Sequence, residues 1–504
     1  MKKKTVPFIL GGRIRLCDLA AVAGSQAPVR LPSAACARMQ ACRQTLLRAC
    51  RAEGTIYGVN TGFGELSSRR IGPDALARLQ RNLVLSHACG VGELLSQAEA
   101  RGIVFLRANE LARGFSGARP IVAETMARLL NAGVAPVIPS RGSVGASGDL
   151  APQAHMALLL IGEGEALWRG RRIPAKELLR RLKIKVLELE VKEGLALVNG
   201  TQAMQSVGGL ALVQAFRVLQ AAQLAGAMSL EAMTGTPVPF DAAIQELKPH
   251  PGQIACAREL RHLLQGSVLR TSHRRSDTRV QDPYSLRCLP QVHGAVRESL
   301  EHAARVLEVE LMSVTDNPLV VDGRVLSGGN FHGMALSFAW DLSAIALTAL
   351  ANMSERRIAQ LVSGTAPRLK PFLAKNPGLE SGWMIAQVTA AALASENKVL
   401  AHPASADSVP TSGNKEDFVS MGMGAALKLR QVVANAATIV GVELLCAAQG
   451  VECHWPLKPG AGVVKGLKLL RAQIARTKGD EILSPRLEKA RDMILDGYFE
   501  GIVS

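Results

Sequence analysis

The chain is expected to be mainly α: a long central helical bundle with a smaller N-terminal lobe and a few short peripheral strands. Residues 335–361, 384–400 and 418–448 are long, alanine-rich, mostly free of glycine and proline, and apolar nearly all round. Helices of that kind are buried in large bundles. Hydrophobic residues make up 48% of the chain but aromatics only 4%, so alanine, leucine and valine must do most of the packing. That composition favours close-packed helices over a β-sandwich. No internal repeat or low-complexity linker interrupts the 504 residues, which read as a single unit with a lobe over about 1–115 and a helical core over about 116–504.

Taken in order, Asp74 to His87 places Leu76, Leu79, Leu83 and Val84 on one helical face. A helix start follows Gly142–Gly148, with Asp149 near the N-cap, Pro152 tolerated in the first turn and an apolar run from His155 to Ile161. Arg172-Ile173-Pro174 and Leu319-Val320-Val321 read as strands of small peripheral hairpins. Asn199-Gly200-Thr201-Gln202 offers amide groups at the start of another helix. Val296, Leu300, Ala303, Leu307 and Leu311 line a further amphipathic helix, which ends near the turn signal Thr315-Asp316-Asn317-Pro318. Helices this apolar are better covered in an assembly, so a homo-oligomer is expected.

The formal charge is +17 and the isoelectric point about 9.8. The charge is scattered; Lys2-Lys3-Lys4 is its longest unbroken run, and no basic stripe with stacking aromatics speaks for nucleic acid. A solvated basic surface that also attracts anions fits better. The nine cysteines form no CxxC pair, and Cys453-His454 lacks metal-site spacing, so reduced thiols and no metal are expected. Thr5 to Leu10 is too short for a signal peptide core, and no uncharged stretch is both long and hydrophobic enough to span a membrane. The chain reads as soluble and cytoplasmic, with no membrane partner.

Chemistry concentrates in irregular, glycine-spaced segments. In Gly142-Ser143-Val144-Gly145-Ala146-Ser147-Gly148-Asp149, Gly148 has no Cβ, so its nitrogen can approach the Ala146 carbonyl carbon closely. A plain turn before a buried helix is the bland alternative. A serine-hydrolase elbow is a poorer one, because Asp149 stands where that elbow needs glycine. Tyr57 to Gly64 suits a mobile lid carrying an acid/base hydroxyl, although such a segment is also an ordinary surface turn. In Gln281 to Cys288, Tyr284 and Arg287 at i and i+3 can share a helical face, and arginine's fork suits a carboxylate. Ser327 to His332 places Phe331 beside an amide, and Glu416-Asp417 pairs carboxylates, most often a helix cap when seen alone.

In sequence order the tyrosine loop, Ser86-His87, Ala146-Ser147-Gly148, Asn199 to Gln202, Gln281 to Arg287, Gly329 to His332, and Ser395-Glu396-Asn397-Lys398 through Glu416-Asp417 resemble the histidine and aromatic amino acid ammonia-lyases. The resemblance runs from Tyr57 to about Gly450. It implies that Ala146, Ser147 and Gly148 close autocatalytically into a 4-methylidene-imidazol-5-one ring, with no metal or external cofactor, in a homotetramer acting on a small amino acid. It implies Tyr57 as the base for the β-proton. Asn199, Tyr284 and Arg287 would hold the carboxylate and keep the ring polarised. Gln281 and Phe331 would shape the pocket, and His87 and Glu416 would face the substrate side chain. Within the family, Ser86-His87 and the charged Glu416 favour L-histidine going to trans-urocanate and ammonia. A tyrosine or phenylalanine ammonia-lyase or aminomutase is the alternative, and intact Ser147, Tyr57 and Arg287 oppose a catalytically silent scaffold. Lys415, Phe418, Trp383, Gln153 and Met334-Ala335 depart from the family's usual residues near these motifs, and so bear on the substrate more than on the ring.

Overall fold

Helices dominate the computed structural model, which describes residues 6–24, 26–52, 56–62, 69–274 and 279–503. Lys2 to Thr5 and the Phe63-Gly64 end of the tyrosine loop lie outside the described residues. Contacts divide the chain into two units: Met1–Leu210, Ala304–Trp340 and Pro403–Leu427 form the first, and Ala211–Ala303, Asp341–His402 and Lys428–Ser504 the second. Residues 1–115 fall wholly within the first unit. Four long helices, Gln202–Ala232, Leu289–Leu311, Met334–Val362 and Gly422–Glu452, each contribute residues to both units.

In the first unit the spine is helix Gln97–Ala112. A capping box starts it: Ser96 Oγ accepts from Glu99 N (3.2 Å), and Glu99 Oε2 accepts from Ser96 N (2.7 Å). Nearly every residue of this helix is buried, and it packs on Leu16–Ala23 and Pro120–Asn131. Helix Leu76–His87 packs on Leu150–Leu160 and Glu193–Val198, and these three place the site described below. The strands are short and peripheral. Ala135–Pro136, Glu165–Trp168 and Arg171–Pro174 make an antiparallel three-stranded sheet with Glu165–Trp168 central. Leu319–Val321 and Arg324–Leu326 form a hairpin, so both expected strand segments are present.

The second unit is knit by one buried carboxylate. Glu443 accepts from Arg357 Nε (2.5 Å) and Nη2 (2.7 Å), and from Ser229 Oγ and Ser354 Oγ (both 2.6 Å). Both charged side chains are wholly inaccessible. Four donors satisfy the anion, which is what makes such a buried pair tolerable.

Three expectations are corrected. The helix expected over 418–448 runs Gly422–Glu452. Met421 has φ +56 and donates to Val144 O (2.9 Å), so the residues before Gly422 bind the glycine loop instead of extending the helix. Asp149 sits at the N-cap position of Leu150–Leu160 without capping it; its carboxylate accepts from Met204 N (2.7 Å), in the first turn of Gln202–Ala232, and from Ser143 Oγ (2.9 Å). Three helices, Gln202–Ala232, Met334–Val362 and Gly422–Glu452, are long and apolar enough to cross a membrane by length and composition. Their most apolar windows are 67%, 61% and 83% buried, so packing uses most of that apolar surface.

Candidate active site

Each of the three packed helices has a candidate residue at one end or beside it. His87 closes Leu76–His87, Ser147 lies just ahead of Leu150–Leu160, and Asn199 follows Glu193–Val198. Tyr57 and Glu416 join them from loops, and these five residues line one cavity of about 490 Å3 together with Arg69, Leu83, Leu195 and others. That volume suits a small molecule.

The glycine loop is a fixed structure and not a slack turn. Ser147 has φ +51, an uncommon value for a residue with a side chain, and Gly148 has φ +79. A Cβ on Gly148 would lie 2.1 Å from Gly200 O, so only glycine fits there. Gly200 O accepts from Asp149 N (2.8 Å), and Gly200 N donates to Ser147 O (3.1 Å). Burial pushes the Asp149 carboxyl up to about 6, against its hydrogen bonds from Met204 and Ser143.

Ser147 Oγ donates to Glu416 Oε1 (2.9 Å), while Glu416 Oε2 accepts from Thr411 Oγ1 (2.8 Å) and Ser412 Oγ (2.9 Å). Glu416 bridges back to Thr411 and stands before the helix that opens at Gly422, so it is no helix cap. Burial lowers the His87 pKa more than Glu416 raises it, which keeps the imidazole neutral near pH 7. Asn199 Nδ2 donates to Asn317 O (3.3 Å), and its buried Oδ1 has no hydrogen-bond partner among the described residues. Behind it, buried Lys192 donates to both oxygens of Asp316 (2.8 and 2.7 Å), and Asp316 accepts from Asn317 N (2.7 Å).

Within the described part of its loop, Tyr57 is flanked by two local ties. Ile56 N donates to Asn60 Oδ1 (2.7 Å), and Gly58 N donates to Thr61 Oγ1 (3.0 Å). Phe331 is half-buried and is not among the residues lining the cavity. Gln281 and Arg287 belong to the second unit, where they line a cavity of about 710 Å3 with Arg270 and Arg279. Tyr284 and Arg287 share the helix Tyr284–Arg287, as their spacing predicts, with the guanidinium 4.8 Å from the ring centroid. Tyr284 is 70% exposed.

Sequence reasoning missed the buried support beneath the loop. Arg107 donates to Gln153 Oε1 (3.0 Å), to Asn199 O, to Gln202 Oε1 and to Glu110 Oε1 (3.2 Å). The i,i+3 spacing of Arg107 and Glu110 on a capped helix was the one available signal.

The family model for aromatic amino acid lyases matches residues 14–472. The chain belongs to this family. The lyase is 51% identical over 488 residues to the histidine ammonia-lyase of Stigmatella aurantiaca, covering 96% of this chain and 94% of that one. Among solved structures, the tyrosine aminomutase of Streptomyces globisporus superposes with a TM-score of 0.93 at 37% identity, covering 99% and 98% of the two chains. The histidine ammonia-lyase of Trypanosoma cruzi superposes on the lyase with a TM-score of 0.90 at 39% identity, covering 99% and 95%.

Proposed function

We propose that the lyase deaminates L-histidine without oxidation, releasing trans-urocanate and ammonia. The observation that carries this is the cavity itself: Ser147, Tyr57 and Asn199 share it with a polar pair, His87 and Glu416. The cradle at Gly148 and the orphaned Asn199 Oδ1 fit a ring made from Ala146, Ser147 and Gly148. That ring would supply an electrophile, the chemistry by which a poor leaving group becomes a better one.

The chain's own side chains do the rest. Tyr57 accepts the β-proton. Neutral His87 exchanges a hydrogen bond with one imidazole nitrogen of the substrate, and Glu416 accepts from the other. Asn199 takes part in holding the carboxylate; the resemblance gives Tyr284 and Arg287 a share in that task and Gln281 and Phe331 a place in the pocket wall, although within one chain none of these four lines the cavity of Ser147. A phenyl ring would offer Glu416 no donor in place of the Ser147 hydroxyl that ring formation removes, leaving its partly buried charge with only the Thr411 and Ser412 hydroxyls. The likeness to a tyrosine aminomutase keeps an aromatic substrate as the second reading.

The 504-residue chain acts as one catalytic unit on a free amino acid in the cytoplasm. Exposed apolar residues on two helices of the second unit, Ile345 (45%), Ile385 (63%) and Val388 (51%), support assembly into a homotetramer. Incubation with histidine, tyrosine and phenylalanine separately tests the substrate. The ultraviolet band of urocanate is expected from histidine alone or far faster than the other products; preference for phenylalanine or tyrosine would move the assignment to the aromatic branch.

A further inference from the structure

Gln153 is wholly buried one turn into helix Leu150–Leu160, and its amide is saturated. Its Nε2 donates to Gly200 O (2.7 Å) and to Val198 O (3.0 Å), and its Oε1 accepts from Arg107 Nε (3.0 Å). Arginine carries donors only, so it fixes which end of the amide faces it and leaves both N–H bonds for the two carbonyls. Arg107 is itself held by Glu110, Gln202 Oε1 and Asn199 O. Glu110 is closed by Gln202 Nε2 (2.5 Å) and Thr315 Oγ1 (2.9 Å). The carbonyl that Gln153 grips is the one against which Gly148 is pressed, and the N–H of the same Gly200 points at the Ser147 carbonyl.

We propose that Gln153, oriented by Arg107, is a positioning residue that locks Gly200 against Ser147 and Gly148, so that the tripeptide is held for ring closure and the Ser147 carbonyl stays polarised. The inference rests on the lyase reading. Ring closure joins the Gly148 nitrogen to the Ala146 carbonyl carbon, and that oxygen leaves as water with the Gly148 and Ser147 amide protons. The Ser147 hydroxyl then leaves as a second water with the Cα proton. No oxidant or reductant is needed. What closure requires from the protein is that one backbone nitrogen be kept beside one carbonyl carbon, and what dehydration requires is that the charge reaching the Ser147 oxygen as the Cα proton leaves meet a fixed donor. Gly200 N supplies that donor, and Gln153 keeps Gly200 from turning away.

Two variants separate positioning from bulk. Gln153→Leu fills the space without polar atoms; Gln153→Glu keeps the acceptor for Arg107 but lacks the two N–H donors. Intact-protein mass spectrometry after synthesis reads the fraction of chains lighter by two waters, and steady-state kinetics read kcat and KM for histidine. With far-ultraviolet circular dichroism like the parent's, both variants are expected to accumulate the dehydrated form on the order of 10-fold more slowly, as losing hydrogen bonds to a buried carbonyl implies. Their kcat is expected to fall by a similar factor with KM within about twofold of the parent's. Variants that dehydrate as fast as a maturing parent, with unchanged kcat, would overturn the role of Gln153 alone. A parent that keeps its full sequence mass and does not turn over histidine would overturn the lyase reading, and this role with it. Loss of helical signal in both variants would assign Gln153 to folding and overturn the positioning role.

Discussion

Beneath Ser147, side chains that water does not reach hold one another and the backbone: Arg107, Gln153 and Gln202 are at most 1% exposed, and Glu110 is 4% exposed. Around the mouth of the same cavity, Tyr57, His87 and Glu416 are only half-buried and Arg69 is exposed. The floor uses its hydrogen bonds to fix backbone atoms of Ser147, Asn199 and Gly200. At the mouth, by contrast, Glu416 accepts from the Thr411 and Ser412 hydroxyls, which can rotate to suit a ligand, and from the Ser147 hydroxyl, which ring formation removes. On the proposed function, the floor would serve a chemistry that tolerates little movement, and the rim would read the substrate side chain. Changes at the floor should alter whether the reaction occurs, and changes at the rim should alter what is accepted.

Replacing the reacting atom itself sharpens this most. Ser147→Ala should abolish turnover while the circular dichroism stays near that of the parent, because among the described residues the hydroxyl bonds only to Glu416, at the rim. Full activity in that variant would end the covalent-electrophile account. Glu416→Ala should lower kcat/KM on histidine by at least about 100-fold, the scale of a positioned acid/base group. A loss shared equally by phenylalanine would mean that Glu416 holds Ser147 and does not read the substrate. Arg287→Lys keeps the charge but loses the planar fork. A fall of about 10-fold or more in kcat/KM is expected, since a hydrogen bond to a charged group is worth about 1.5–3 kcal/mol; no change would assign Arg287 to structure.

The smallest effect is expected at His87. Because burial lowers its folded pKa below the ordinary value, the unfolded chain binds the proton first as pH falls. Stability from this group is complete above the unfolded pKa and is lost as pH drops toward the lowered folded one. His87→Phe should therefore lose less stability than the parent between about pH 7 and pH 5 in denaturant titrations. It should also weaken histidine turnover and raise the ratio of phenylalanine to histidine kcat/KM. An unchanged ratio would remove His87 from the substrate-reading rim.

How much of this was legible follows the same division. Long helices announced themselves through composition, because a helix buried all round needs no amphipathic pattern to be recognised. The loops carrying Tyr57, Ser147, Asn199 and Glu416 stood out as glycine-spaced or polar interruptions, and the cavity brings those four together with His87. The floor was hardly legible: Gln153 stood out only as a departure near the motifs, where it suggested the substrate, whereas it does not line the cavity and grips Val198 and Gly200 instead. Arg107 and Gln153 lie 46 residues apart, and Arg107 and Asn199 lie 92 apart, so neither pairing leaves a local pattern. Asp149 was misread for a related reason: its position suited a local cap, but its carboxylate serves Met204, 55 residues away. The start of helix Gly422–Glu452 was missed because Met421 is spent on Val144, a contact that sequence periodicity cannot register.

On this account the chain makes its electrophile from its own residues, held by the rigid floor. Intact-protein mass spectrometry of the purified parent beside Ser147→Ala tests it most directly. The parent is expected to weigh less than its sequence by about two waters, one from ring closure and one from dehydration of Ser147, while Ser147→Ala lacks the dehydration that depends on its hydroxyl. A parent that turns over histidine at its full sequence mass would contradict the account.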